Sequence, residues 1–142
     1  GSWNTSNVKF MSYMFSYASS YDQALPSSFD TSNVTNMSYM FNGASSYKQA
    51  LPSSFDTSNV TNMNAMFSRA YKFNQPLNNW NVSNVTGMGS MFYDAKVFYQ
   101  DISSWCVTKI TSLPPSFAYN SPSTPFTTKT TFHPKWGTCP PR

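Results

Sequence analysis

Few side chains in this sequence are equipped for covalent or proton-transfer chemistry. His133 is the only histidine, there is no Glu, and the five carboxylates are Asp22, Asp30, Asp56, Asp94 and Asp101. General acid–base work needs two titratable groups facing one reacting bond, and an activated nucleophile needs a base beside it. Neither set can be assembled from this inventory. His133 has no second ligand at metal spacing, so an ordinary surface or packing histidine is expected there. No Gly-rich phosphate loop is present either. No catalytic, cofactor-binding or metal residues are therefore expected, and the chain reads as not an enzyme. What remains is recognition: exposed Tyr, Arg and Lys, the residue types that anchor interfaces.

Those side chains are positioned by a repeat. Residues 24–37 and 50–63 spell the same fourteen letters, Ala-Leu-Pro-Ser-Ser-Phe-Asp-Thr-Ser-Asn-Val-Thr-Asn-Met, 26 residues apart. The aromatics that open each unit (Trp3, Phe29, Phe55, Trp80, Trp105) lie 26, 26, 25 and 25 residues apart. A fixed period of this size signals an array of stacked units. Asn recurs at Asn7, Asn33, Asn59 and Asn84, each preceded by Ser and followed by Val. All eight methionines fill two columns, Met11/Met37/Met63/Met88 and Met14/Met40/Met66/Met91. Phe15/Phe41/Phe67/Phe92 and Ala18/Ala44/Ala70/Ala95 follow, then an aromatic column (Tyr21, Tyr47, Phe73, Phe98) and a Gln column (Gln23, Gln49, Gln75, Gln100).

The Met-Met-Phe-Ala columns fall at i, i+3, i+4 and i+7, which predicts a helix of about two turns in each unit. Ser38 or Asn36 is placed to cap it. Asn-Val-Thr before it reads as a short strand. The fold expected is α/β: a short leucine-rich-repeat-like solenoid of four 25–26-residue coils, each a short strand plus a short helix, with an irregular C-terminal cap. Residues 1–2 read as a cloning scar, 3–104 as the four-repeat solenoid, and 105–142 as a degenerate fifth coil and cap, where Pro114-Pro115 would stop a helix. The Met columns read as core. Asn7, Asn33, Asn59 and Asn84 are expected to form a structural ladder, since an amide both donates and accepts. Asp30 and Asp56 share a column with Asn4 and Asn81 and are expected to cap turns.

The string Phe-Asp-Thr-Ser-Asn-Val-Thr-Asn-Met-Ser-Tyr-Met-Phe-Asn-Gly-Ala, with Gln and Leu following, resembles the 25-residue repeats of BspA-like leucine-rich-repeat surface proteins. Members occur in bacteria, especially Bacteroidetes and mycoplasmas, and in some protists. The resemblance covers residues 3–104 closely. The ending, with Trp105-Cys106 and Trp136-Gly137-Thr138-Cys139-Pro140, is similar to the terminal cap of the bacteroidete members. It departs in the extra Pro of two turns and in lacking an N-terminal flank. The resemblance implies a secreted or cell-surface protein used for attachment and carries over no catalytic residues.

Composition bounds the partners. Aromatics make up 18% of the chain, too many for a disordered polar tract. The net charge of +4 is spread along the length without a basic cluster, which argues against nucleic acid. Apolar runs are too short for membrane insertion. Cys106 and Cys139 flank the irregular C-terminal segment, a placement that favours a disulfide over two free thiols. That pairing would stabilise by roughly 3–4 kcal/mol and implies an extracellular or cell-surface location.

Specificity in a repeat protein lives in the columns that vary while the core stays fixed. Here these are Lys9/Thr35/Thr61/Thr86, Tyr13/Tyr39/Ala65/Ser90, Tyr17/Gly43/Arg69/Asp94 and Ser20/Ser46/Lys72/Val97. Tyr13, Tyr39, Tyr17, Arg69 and Lys72 are the expected partner-binding residues. The function expected is a non-catalytic extracellular binding or adhesion module for a protein or glycan on another cell or matrix. The alternatives are a structural spacer of a larger surface protein, or an ice- or polysaccharide-binding face. The exposed first unit also makes end-to-end self-association plausible.

Overall fold

The computed structural model describes residues 3–141, so the Gly1-Ser2 reading lies outside the described residues. The units do lie on one another. Backbone N–H groups of Met11, Tyr13, Phe15 and Tyr17 donate to the carbonyls of Asn36, Ser38, Met40 and Asn42 at 2.8–3.1 Å. Met37, Tyr39, Phe41 and Gly43 donate in the same way to Asn62, Asn64, Met66 and Ser68. Met63, Ala65, Phe67 and Arg69 continue to Gly87, Gly89, Met91 and Tyr93. Each unit is thus one layer of a stack, joined to the next through every second residue.

The strands and helices expected within each layer are absent, and the α/β solenoid is corrected accordingly. Pairing between layers is confined to isolated parallel bridges, Phe10 with Asn36, Asn36 with Asn62 and Asn62 with Gly87. Among the described residues there is no sheet, and the helical elements are α1 (Pro125–Thr128) and a 3-10 turn (Thr130–Phe132), both near the C-terminus. The strand fails because turns hem it in. Val34 N–H closes on the Thr31 carbonyl on one side, and Ser38 N–H is taken by Asn36 Oδ1 on the other. The side chain proposed as a helix cap instead makes an Asx turn.

The helix fails because of backbone handedness. Met40 N–H bonds the Met37 carbonyl and Ala44 N–H bonds the Phe41 carbonyl, both i to i−3. The third residue of each such turn has positive φ: Tyr39 at 60° and Gly43 at 74°, with Tyr13, Tyr17, Ala65, Arg69, Ser90 and Asp94 equivalent at 53° to 64°. Positive φ at that place is the mark of a type II turn, and it costs roughly 1–2 kcal/mol for a residue with a Cβ. Successive four-residue turns put apolar side chains on one face at nearly the helical spacing. The periodicity could not separate the two.

Every one of those left-handed residues donates its N–H to the next layer or to the cap. These donors alternate with Met11, Phe15 and their equivalents, which donate to the next layer without positive φ, so the left-handed positions supply half of this row of interlayer bonds. Burial then supplies the favourable free energy. Met37, Met40, Phe41, Met63, Met66, Phe67, Met91 and Phe92 are all fully buried, in contrast to Met14, 41% exposed in the first layer. Phe15, Phe41, Phe67 and Phe92 stack ring on ring at 5.3, 5.5 and 5.7 Å with interplanar angles of 2–13°. Tyr21, Tyr47, Phe73 and Phe98 form a second parallel column.

The C-terminal segment closes the stack by turning the rings. Phe117 meets Phe92 at 84°, and Phe126 on α1 meets Phe98 at 86°, so neither column can continue. Carbonyls of Pro115, Phe117 and Tyr119 accept from Ser90, Phe92 and Asp94. Thr124 caps α1 reciprocally with Thr127. The Cys106–Cys139 disulfide holds the final residues against the last layer, where Val107 N–H donates to the Thr138 carbonyl.

The left-handed positions define a test. Ser90→Gly should raise stability by about 0.5–1 kcal/mol in urea unfolding, because relief of positive φ exceeds the entropy cost of glycine. Gly43→Ala should lower it by about 1–2 kcal/mol, since a Cβ there meets the Tyr17 ring at 2.6 Å with φ at +74°. Destabilisation by Ser90→Gly would contradict the turn assignment.

Candidate interaction surface

The left-handed turns also decide which side chains face outward. Tyr13 is 58% and Tyr17 66% exposed, while Tyr39 is half-buried. Tyr13 and Tyr39 lie face to face at 4.8 Å with an interplanar angle of 4°. The Tyr17 ring lies across Gly43, which has room for it because it carries no Cβ. Next in that column is Arg69, exposed, its guanidinium 5.2 Å over the Tyr93 ring. Tyr93 in turn stacks on Tyr119 at 5.8 Å. Arg69 is thus held flat by a cation–π contact rather than waving in solvent.

Of the five residues expected to bind a partner, the structure joins Tyr13 to Tyr39 directly. Tyr17 is seated on Gly43 in the column that leads to Arg69. Lys72 is exposed and shares none of these ring contacts. Ala65 fits the outward column poorly, being buried. Tyr93 and Tyr119 were overlooked: the column Ser16/Asn42/Ser68/Tyr93 is buried at Asn42 and Ser68, so it did not mark Tyr93 as a surface aromatic.

Polar ladders run alongside. Asn33, Asn59 and Asn84 donate Nδ2–H to the carbonyls of Ser6, Ser32 and Ser58 in the preceding layer at 2.6–2.8 Å, and Lys109 reaches Asn84 Oδ1. Asn7 occupies the same place in the first layer, below that ladder. These amides lie at the solvent edge rather than inside the core. Asp30 and Asp56 each accept from the N–H of Ser32 and Ser58, as Asn81 does from Ser83. Gln49, Gln75 and Gln100 bond groups of the preceding layer. A second ladder gave no warning in the sequence. Thr5, Thr31 and Thr57 are buried, and their hydroxyls donate to the carbonyls of Asp30, Asp56 and Asn81 at 2.8 Å.

Two grooves accompany this surface. One of about 750 Å³ in the C-terminal segment is lined by Thr130, His133, Lys135, Trp136 and Cys139. Its histidine is committed to packing: Nε2 donates to the Phe126 carbonyl at 2.7 Å and the ring lies against Phe117 and Phe126. Another of about 550 Å³ runs past Asp30, Asp56, Asn81 and Trp80. Among the described residues, no three His, Cys, Asp or Glu are grouped to hold a metal ion, and no helix is long and apolar enough to cross a membrane.

Four titratable groups are displaced: burial raises Tyr21 and Tyr47, and hydrogen bonds lower Asp22 and Asp30. Hydrogen bonds from the Lys48 side chain and backbone and from Gln49 hold the Asp22 carboxyl down to about 2. Burial pushes the Tyr47 phenol well above its ordinary range, and its hydroxyl has no hydrogen-bond partner among the described residues. Asp22 is lower in the folded than the unfolded chain, so its contribution is present at neutral pH and lost as pH falls from about 4 towards 2. Tyr47 is higher when folded, so stability drops once pH rises past about 10, where the unfolded phenol ionises. Tyr47→Phe should remove part of that alkaline loss and be neutral or stabilising by about 1 kcal/mol at pH 7, because Phe73 and Phe98 already occupy the column. Thermal unfolding of both chains between pH 7 and 11 measures it. A large loss at pH 7 would mean that the hydroxyl has a partner.

The chain matches the family model described as "Mycoplasma protein of unknown function, DUF285" over residues 1–52 and 24–129. No curated protein matches, and no solved structure matches.

Proposed function

The chain belongs to that mycoplasma-type repeat family, and from its surface we propose that it is a non-catalytic binding module of a BspA-like surface protein. It is exported or displayed at the cell surface and attaches to a protein or glycan on another cell or matrix. The observation that carries this reading is where the repeat varies. Tyr13, Tyr39, Ala65 and Ser90, like Tyr17, Gly43, Arg69 and Asp94, occupy left-handed turn positions whose backbone is fixed by bonds to the next layer. Tyr, Ala, Ser, Arg and Asp all stand at such positions with the interlayer bonds kept, so the exposed ones among them are open to selection for recognition. Tyrosine and arginine held rigid by stacking lose little entropy on binding. The disulfide agrees with an oxidising compartment.

The test is a screen of the purified protein against host matrix proteins and a glycan array. For whichever partner binds, the triple variant Tyr13→Ala, Tyr17→Ala, Arg69→Ala should weaken affinity at least about tenfold, as expected for interface anchors. Its melting temperature should stay within a few degrees of the parent. Unchanged affinity in that variant would exclude this face, and absence of any binder would favour a spacer role.

A further inference from the structure

The layers are not all of one length, and a groove opens where the length changes. Pro52-Ser53-Ser54 separates Leu51 from Phe55 by three residues, whereas Asn78-Asn79 separates Leu77 from Trp80 by two. At this step lies the groove of about 550 Å³, with Ser53 and Ser54 from the longer turn and Asn79 from the shorter one in its wall. Past Asn79, Trp80 and Asn81 it continues into a hollow of about 470 Å³ bounded by Ser104, Pro140 and the Cys106–Cys139 disulfide.

The mismatch leaves polar groups unused. Where successive turns match in length, as Ser103-Ser104 does Asn78-Asn79, Trp105 donates its Nε1–H to the Leu77 carbonyl at 2.9 Å. Trp80 stacks between Phe55 and Trp105 at 5.6 and 6.2 Å, yet its Nε1–H has no partner among the described residues. Ser54 Oγ, buried in the groove wall, is unpaired as well. Asp30 and Asp56 accept from Ser32 and Ser58 through Oδ1 alone, and Asn81 accepts from Ser83 through Oδ1 while Nδ2 donates to nothing among the described residues. No Lys or Arg lines either part of the groove.

We propose that this groove binds a neutral oligosaccharide. Each sugar hydroxyl both donates and accepts, which suits carboxylate acceptors on two layers beside amide and indole donors on the next. The carboxylates of Asp30 and Asp56 repel an acidic sugar, and no cation is there to hold one. A peptide would need apolar side-chain pockets or an exposed strand edge. The apolar residues here, Phe55 and Val82, are buried, and the groove has no strand. The site stands on other columns than Tyr13, Tyr17 and Arg69 and does not rest on their reading as a partner-binding face.

Titration calorimetry with neutral hexasaccharides of glucose, mannose and N-acetylglucosamine, and with a uronic-acid hexasaccharide as the acidic control, tests it. At least one neutral chain should bind, and the acidic chain should not. The double variant Trp80→Phe, Asn81→Asp uses only residue types that the repeat carries in these columns, at Phe29 and Phe55 and at Asp30 and Asp56. It should therefore melt within a few degrees of the parent but lose at least about tenfold in affinity, as expected when two hydrogen-bond donors are removed. The triple variant Tyr13→Ala, Tyr17→Ala, Arg69→Ala should bind the same sugar as tightly as the parent. Absence of neutral binding at millimolar sugar, tighter binding of the acidic chain, or unchanged affinity in the double variant would each overturn the proposal. So would loss of the sugar in the triple variant alone, or a library peptide, in place of any sugar, whose binding the double variant abolishes.

Discussion

Everything in this molecule depends on an N–H donated sideways. A residue with positive φ points its amide out of its own layer and into the carbonyl of the next, and Tyr13, Tyr39, Ala65 and Ser90 do this in succession. An isolated residue of this kind would be unfavourable by roughly 1–2 kcal/mol. Its hydrogen bond alone contributes about 0.5–1.5 kcal/mol net, so the two nearly cancel. The balance is tipped by what the bond brings into contact. Each joint buries a methionine pair and stacks two aromatic columns, at roughly 1.5–3 kcal/mol for each large side chain fully buried. The turns are therefore held by tertiary packing, and a single excised layer has no reason to keep them.

This arrangement separates the residues that hold the stack from those free to vary. Inward positions are locked by ring-on-ring registry: Phe41 lies between Phe15 and Phe67 at nearly parallel orientation. Polar groups at the layer edges are consumed by ladders, with Thr31 bonded to the Asp56 carbonyl and Asn59 to that of Ser32. Most outward positions at the turns are bound through their backbone, the exceptions being Gly43, which leaves room for the Tyr17 ring, and the buried Ala65. Tyr, Gly, Arg and Asp follow one another there without breaking a bond, so the surface can diversify while the scaffold stays unchanged.

The sequence made the stacking and the buried columns legible, because like residues recur in register and only neighbouring layers can bury them. The strict Met and Phe columns marked the core, and the placement of Cys106 and Cys139 pointed to their bridge. Backbone conformation was not legible. Apolar residues at i, i+3, i+4 and i+7 suit a helix and a run of four-residue turns alike, and Met37, Met40, Phe41 and Ala44 gave no choice between them. A trace of the difference existed in Gly43 and in the lack of β-branched residues among the outward turn columns, since left-handed backbone disfavours them. The buried Thr5, Thr31 and Thr57 escaped because threonine ordinarily reads as surface, and its pairing partner is a main-chain group 25 residues away.

The most direct test is native-state hydrogen exchange at single-amide resolution. If the left-handed N–H groups bind the layers together, the amides of Tyr39, Ala65 and Ser90 should exchange only through global unfolding, although Tyr39 and Ser90 are only part-buried. Free exchange at those three, with protection instead running along i to i−4 partners through Met40 and Ala44, would mean a helix in each layer and contradict the account.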